Sequence, residues 1–314
     1  GQLIAGSGAV ALIVNDGSVL DGGDSDGEDV QSAGLLMDVS GDIGSGSNPL
    51  EMAVDRLSSQ SDGSGGVFLT ESNAVVVDEV SVSVHAIGRD GATPAMTVDA
   101  TQSDLVSNGA AVVDVLAGDL VLNDGDSNGV TVAVEANLFL NVQSGHLIGS
   151  ADILSQNGHI SLVARDGIEL GAEANVSTAL AGNTIELESE GDVDLANGAS
   201  LETVDGNIRI LASGQMGLGA LDAGTARVSL IGSTIVDNGT GETNVVASGL
   251  RIETTSMSGG AGTGTNALEL DIDLLSALTG SGGLFTSEVD GLVVDTVGAI
   301  TGQRIGLDGT VASQ

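Results

Sequence analysis

Apolar and polar residues alternate in short runs along most of this chain, as in Ile185-Glu186-Leu187 and Val193-Asp194-Leu195. Gly, Asn or Asp punctuates the runs at short intervals. Alternation with period two marks strands with one buried face, and the punctuation marks corners. The rhythm is clearest from Asn157 to Asp237, where runs open in turn at Ile160, Ile185, Ile208 and Val228. No helical pattern intervenes, so a β-α-β crossover is not available. Two all-β architectures accept strands at this spacing, an antiparallel sandwich and a parallel β-solenoid. A near-constant coil of about 20 to 25 residues with three short strands favours the solenoid, in which like residues stack at about 4.8 Å. Ile160, Ile185, Ile208 and Val228 then form one interior ladder, and Ile168, Val193, Met216 and Ile235 a second. At about 22 residues per coil the chain predicts roughly 14 coils and a rod about 65 Å long.

A longer period overlies the short one. Leu50, Glu51, Val54, Asp55 and Leu57 recur at a constant offset of 218 as Leu268, Glu269, Ile272, Asp273 and Leu275. With the offset reduced to 217, Gly65 to Phe68 becomes Gly282 to Phe285, Glu71 becomes Glu288, and Val76 to Asp78 becomes Val293 to Asp295. Residues 18–80 and 234–297 are equivalent segments of a unit about 217 residues long. The 314 residues therefore read as one continuous solenoid segment holding roughly one and a half units, either a piece of a longer tandem array or one subunit of a repeating assembly. Leu50, Val54 and Leu57 also fall at i, i+4, i+7, with Asn48 placed to cap a helix and Pro49 at its first position. This spacing predicts short helical excursions over 48–58 and 266–276, which serve either as loops decorating the rod or as a lateral docking element.

The run "GHISLVARDGIELGAEANVST" followed by "GNTIELESEGDVDLANGASLETVDGNIRI" resembles the haemagglutinin-type repeats of giant bacterial surface proteins, the filamentous-haemagglutinin-like exoproteins and adhesins. The block "IGSGSNPLEMAVDRL…GGVFLTE", Ile43 to Glu71, is similar to a segment that recurs in such proteins. The resemblance covers most of the chain. It implies a right-handed parallel β-helix, secretion, and a place on the cell surface or in an extracellular fibre, and it brings no catalytic residues.

Composition narrows the picture further. Tyr, Trp and Cys are absent and Phe68, Phe139 and Phe285 are the only aromatics, so burial falls to Val, Ile, Leu and Ala, which suit thin stacked layers. Forty-four Asp and Glu stand against seven basic residues, all Arg, for a net charge of -37. Seven scattered arginines cannot make the electropositive patch that phosphate binding requires, which excludes nucleic acid and disfavours anionic membranes. No apolar run approaches the length of a membrane-spanning helix, so no span is expected, and no signal peptide is visible at Gly1. The acidic exterior keeps a valine-rich chain soluble and attracts cations, consistent with an extracellular setting.

The sharpest polar cluster is "DGGDSDGED", Asp21 to Asp29, echoed by "NDGDSNG" at Asn123 to Gly129. Oxygen ligands on alternate residues of a glycine-rich turn suit Ca²⁺, and Asp24, Asp26 and Glu28 are the candidate ligands. The pattern is neither an EF-hand loop nor a calcium-binding nonapeptide tandem. The equivalent turn of the second unit, "DNGTGETN", keeps only Asp237 and Glu242, so a solvated acidic turn is the competing reading. His85, His146 and His159 are the only histidines, and no nucleophile elbow, zinc helix or phosphate loop accompanies them. The expectation is a structural protein without catalysis or a required cofactor. Its expected partners are copies of itself or adjacent repeats end to end, and cell-surface glycans or matrix. The alternatives are a calcium-dependent adhesion or glycan-binding module and, behind it, a polysaccharide-degrading β-helix enzyme.

Overall fold

The computed structural model describes all residues except 24–26, 86, 88, 93–95, 99–100, 240 and 313–314, and for 96–98 the backbone alone. The chain is an all-β parallel solenoid of about 12 turns, with roughly 23 residues per turn. Thirty strands share one continuous sheet whose lateral pairings are all parallel, each strand lying on its counterpart one turn away. At about 4.8 Å per turn the rod is about 58 Å long, somewhat shorter than the coil count from sequence predicts.

The ladders fall where the alternation puts them. Ile160, Ile185, Ile208 and Val228 pair in register on one face, and Ile168, Val193, Met216 and Ile235 on the next, all fully buried. Their stacking makes one core running the length of the rod. The corners are tied by a second stack, of hydroxyls. Ser155 Oγ donates to the Gly158 carbonyl at 3.0 Å and accepts from the Gly158 N–H at 3.0 Å, and Thr203 does the same with Gly206 at 2.6 and 3.2 Å. A small hydroxyl residue three positions before a glycine closes a tight corner and satisfies backbone groups that the sheet leaves over.

The two predicted helices are strands. Leu50–Val54 and Arg56–Ser61 replace the first, and Leu268–Leu278 the second, and no helix occurs among the described residues. Leu50, Met52 and Val54 point inward and are buried, as are Leu268, Leu270 and Ile272, so the period is two. The i, i+4, i+7 coincidence arises because Leu57 is the first inward residue of the next strand, after a corner at Asp55. Pro49 lies just before a strand start, where its missing N–H costs no ladder bond.

Equivalent residues of the long unit are built alike. Gly44 and Gly262 have φ of +62° and +67°, and a Cβ on either would overlap a carbonyl oxygen, that of Phe68 or Phe285. Asn48 and Asn266 donate from Nδ2 to the carbonyls of Asp21 and Asp237. The match extends beyond the segments legible in sequence: Leu3 N–H donates to Asp29 O and Leu221 N–H to Asn244 O, at 2.7 and 2.8 Å, followed by Gly6 and Gly224 at φ +57° and +54°.

The unit does not close on a whole number of turns. Leu3 starts a ladder through Val30, Met52, Glu71, Val115, Val142, Ala164 and Ser189 to Ala212, eight lateral steps. Its equivalent Leu221 lies two strands further along that last turn, in the ladder Val176, Leu201, Leu221, Val245, Leu270, Glu288. Equivalent surfaces are thus separated by about 42 Å along the rod, and they stand on different faces.

Candidate functional site

The acidic turn at Asp21 to Asp29 is completed by the next coil. Asp24 and Asp26 lie outside the described residues, and Glu28 is half-buried. The carboxylates that converge are Asp21, Asp29 and Glu51, with oxygens all within 4.8 Å of one another. Asp29 ends the turn and Glu51 stands on the strand stacked over it, with Asp29 N–H donating to the Glu51 carbonyl at 2.7 Å. Burial, and then the charges of Asp21 and Asp29, push the Glu51 carboxyl above its usual range. Glu51 could not be tied to Asp21 from sequence, because only the ladder register brings them together.

The second unit shows the same frame filled differently. Asp237, Asn244 and Glu269 occupy the three positions. Asn244 Nδ2 donates to Asp237 Oδ1 at 2.7 Å, and Asn244 Oδ1 accepts the Glu269 N–H at 2.9 Å. An amide there meets both neighbours as donor and acceptor, whereas Asp29 adds a third negative charge. The reverse change occurs nearby: Asp271, Glu288 and Asp290 converge in the second unit where the first has Ala53, Glu71 and Asn73.

Glu71 is a carboxylate of the first unit with no exposed surface. It accepts the Val54 N–H at 3.1 Å and the Asn73 N–H at 3.1 Å, which favour its charged form, yet burial dominates and pushes it up to about 8. Glu288 repeats the bond through Oε1 to the Ile272 N–H at 3.3 Å but is only half-buried.

The echo loop at Asn123 to Gly129 is closed on itself. Asp124 accepts the N–H groups of Asn128 and Gly129, both at 3.0 Å, and the Asn128 amide donates to Asp126 at 3.0 Å and to Asp104 at 3.2 Å. The amide and backbone donors occupy the ground a cation would need. Burial, then the Asp126 and Asp124 charges, lift Asp104 to about 6.

Many other aspartates clamp successive turns. Asp42 Oδ1 accepts the Gly65 N–H at 2.8 Å, Asp119 the His146 N–H at 2.8 Å, Asp152 the Asn175 N–H at 3.0 Å, and Asp192 the Gln215 N–H at 2.7 Å, each from one coil to the next. Part of the acidity read as a solvated exterior is therefore inter-turn bonding. The histidines serve similar ends. His159 Nδ1 accepts the Thr184 N–H at 2.9 Å, and burial lowers its pKa; His146 stands 3.5 Å from Glu169; His85 is exposed. A groove of about 300 Å³ collects His146, Glu169, Asp192, Asp194 and Asn238. Two of its carboxylates are engaged, Asp192 with the Gln215 N–H and Asp194 with Asn238 Nδ2 at 2.6 Å.

No protein-family model, curated protein or solved structure matches the chain. The residues and their stacking establish a parallel β-solenoid, a fold compatible with structural, adhesive or enzymatic roles, and no family or homologue ties it to the haemagglutinin-like proteins.

Proposed function

We propose that this chain is a structural element, a stiff segment of a secreted adhesin-like cell-surface or extracellular fibre protein that works by length and surface display. The observation that carries the reading is what the two units share. Corner glycines, inter-turn bonds and ladder register recur residue for residue, while the acidic clusters change from one unit to the other. A unit whose geometry is kept and whose polar chemistry drifts is one whose geometry is used. Among the described residues the strand Leu3–Val14 pairs with Val30–Val39, and strand edges of this kind accept a further coil, of the same chain or of another. Self-repulsion of the acidic surface opposes such addition, so salt or divalent cations favour lengthening.

Electron micrographs of the purified protein at low and high ionic strength test this. Rods about 58 Å long that elongate end to end as salt rises are expected. Compact particles under both conditions would overturn the reading.

A second reading, calcium-dependent adhesion, draws support from the convergence of Asp21, Asp29 and Glu51. Titration calorimetry with Ca²⁺ separates the two. Heat that saturates at low millimolar ion and disappears in Asp29→Asn favours the adhesion module, and a flat titration removes it.

A further inference from the structure

One outward ladder within the rod differs from the acidic surface around it. Arg56, Val76, Val121, Ile148 and Glu169 lie in register on successive coils, each the lateral partner of the next, and further coils stack on both sides. The three middle strands, Val75–Val77, Leu120–Leu122 and His146–Gly149, hold no Asp or Glu, although the chain as a whole has 44. Val76, Val121 and Ile148 are half-buried and alternate with the strand neighbours that fill the core. Opposite charges stand at the two ends: the Arg56 side chain is 50% exposed and that of Glu169 56%.

The order positive, apolar, apolar, apolar, negative is its own complement when reversed. A second copy turned end for end and laid face to face about Val121 sets Val121 on Val121, Val76 on Ile148, and Arg56 on Glu169 at both ends. Such a two-fold contact is isologous. Parallel rods would instead set Arg56 on Arg56 and Glu169 on Glu169, so charge selects the antiparallel pair. Arg56 meets Asp78 of its own chain at 3.2 Å, but a guanidinium carries five N–H donors and can take a second carboxylate. Asp119, just before the central strand, accepts the His146 N–H of its own chain at 2.8 Å, which offsets the nearness of its copy. The next face of the rod lacks this arrangement. Val106, Ala133 and Leu154 stack there in the same way, but between Gln60 and Ser177, with no charge to set a register.

We infer that the ladder from Arg56 to Glu169 is a lateral docking face on which a second copy of this chain packs antiparallel, with the two sheets about 10 Å apart. Its rungs give a contact about 19 Å long. A face this short is well below the ~800 Å² per partner of a stable pair, so two rods pair weakly and arrays of them firmly. The contact goes beyond the structural reading above, joining rods side to side where that reading joins them end to end.

Cysteine trapping tests it, since the chain has no cysteine of its own. At high protein concentration, a short bismaleimide is expected to link Val121→Cys chains into dimers at least ~10-fold more than Leu154→Cys chains, which report random collision on the neighbouring face. In a mixture of mass-tagged Val76→Cys and untagged Ile148→Cys chains, links between unlike chains should exceed links between like ones. Adding Glu169→Arg to Val121→Cys sets Arg against Arg56 and should bring linkage down to the Leu154→Cys level, and adding Arg56→Glu as well should restore it, which a merely structural defect would not allow. Linkage at Val121→Cys no better than at Leu154→Cys, Val76→Cys linking to itself in preference to Ile148→Cys, or a charge swap that restores nothing overturns the inference. Circular dichroism checks that each variant is folded, and Arg56→Gln with Glu169→Gln, expected to link more than Glu169→Arg alone, replaces the swap if it is not. Intact rods that stay unlinked defeat the docking face alone, whereas chains that are not rods defeat the structural reading.

Discussion

Replacing Glu71 by Gln should change how stability depends on pH more than stability itself. Glu71 ionises near 4.5 in the unfolded chain and near 8 when folded, because burial opposes its charge. Its contribution is therefore complete below pH 4.5 and is lost as pH rises through 8, the folded form holding a proton that the unfolded form has released. At about 1.4 kcal/mol per pH unit, the cost reaches about 3 kcal/mol at pH 7 and about 5 kcal/mol above pH 8. Gln fits the same space and keeps one oxygen for the Val54 and Asn73 N–H groups, now 3.2 and 3.1 Å from Glu71 Oε1, but it does not titrate. With no Trp or Tyr, urea unfolding must be followed by far-ultraviolet circular dichroism, at pH 5, 6, 7 and 8. Every other carboxylate contributes equally to both proteins and cancels in the difference. The variant should gain about 3 kcal/mol on wild type between pH 5 and 7 to 8. Curves that run parallel to within about 0.5 kcal/mol would refute the argument, showing that the backbone donors hold Glu71 charged.

Asp29→Asn, which installs the residue found in the second unit, should raise stability at pH 7 by about 1 kcal/mol by removing a like charge and adding a donor to Asp21; a lower urea midpoint would contradict this. Asp42→Ala removes the acceptor of the Gly65 and Gly66 N–H groups and should cost about 1 to 2 kcal/mol in the same assay, with no effect meaning that water replaces the clamp. Leu140→Ala, in the fully buried ladder of Leu138–Val142, should cost about 3 kcal/mol and lower the thermal midpoint, and a loss below about 1 kcal/mol would mean that neighbouring turns close the cavity.

The strands and ladders were legible because each inward residue meets its own kind one turn away, so alternation within a run and spacing between runs carry the same information. Ile185, Ile208 and Val228 needed no structure to be stacked. Leu50 to Leu57 misled because a corner at Asp55 interrupts the alternation and imitates a helical spacing; Leu50, Met52 and Val54 taken alone give period two. The cluster of Asp21, Asp29 and Glu51 was hidden because one member comes from the following coil, and contiguous reading selected Asp24, Asp26 and Glu28 instead. The return of the chain after Val297 along the outside of the rod, with Ile305 N–H donating to Ser161 Oγ, was missed for another reason. Ile305 to Thr310 is a short run of common turn chemistry, and nothing in it announces that Ile305 packs on Phe68, Val112 and Phe139.

The long unit spans eight turns and two strands of a ninth, and three strands make a turn. Were the period to continue, successive copies would present any given surface on each of the three faces in rotation, returning to the first after three units. A fibre made this way has an approximate threefold screw along its axis at the level of whole units, distinct from any symmetry of the individual coils. A surface patch repeated on it is never shadowed by its own nearest copy. Such a fibre meets neighbours on all sides alike, which favours bundles and meshes over flat sheets.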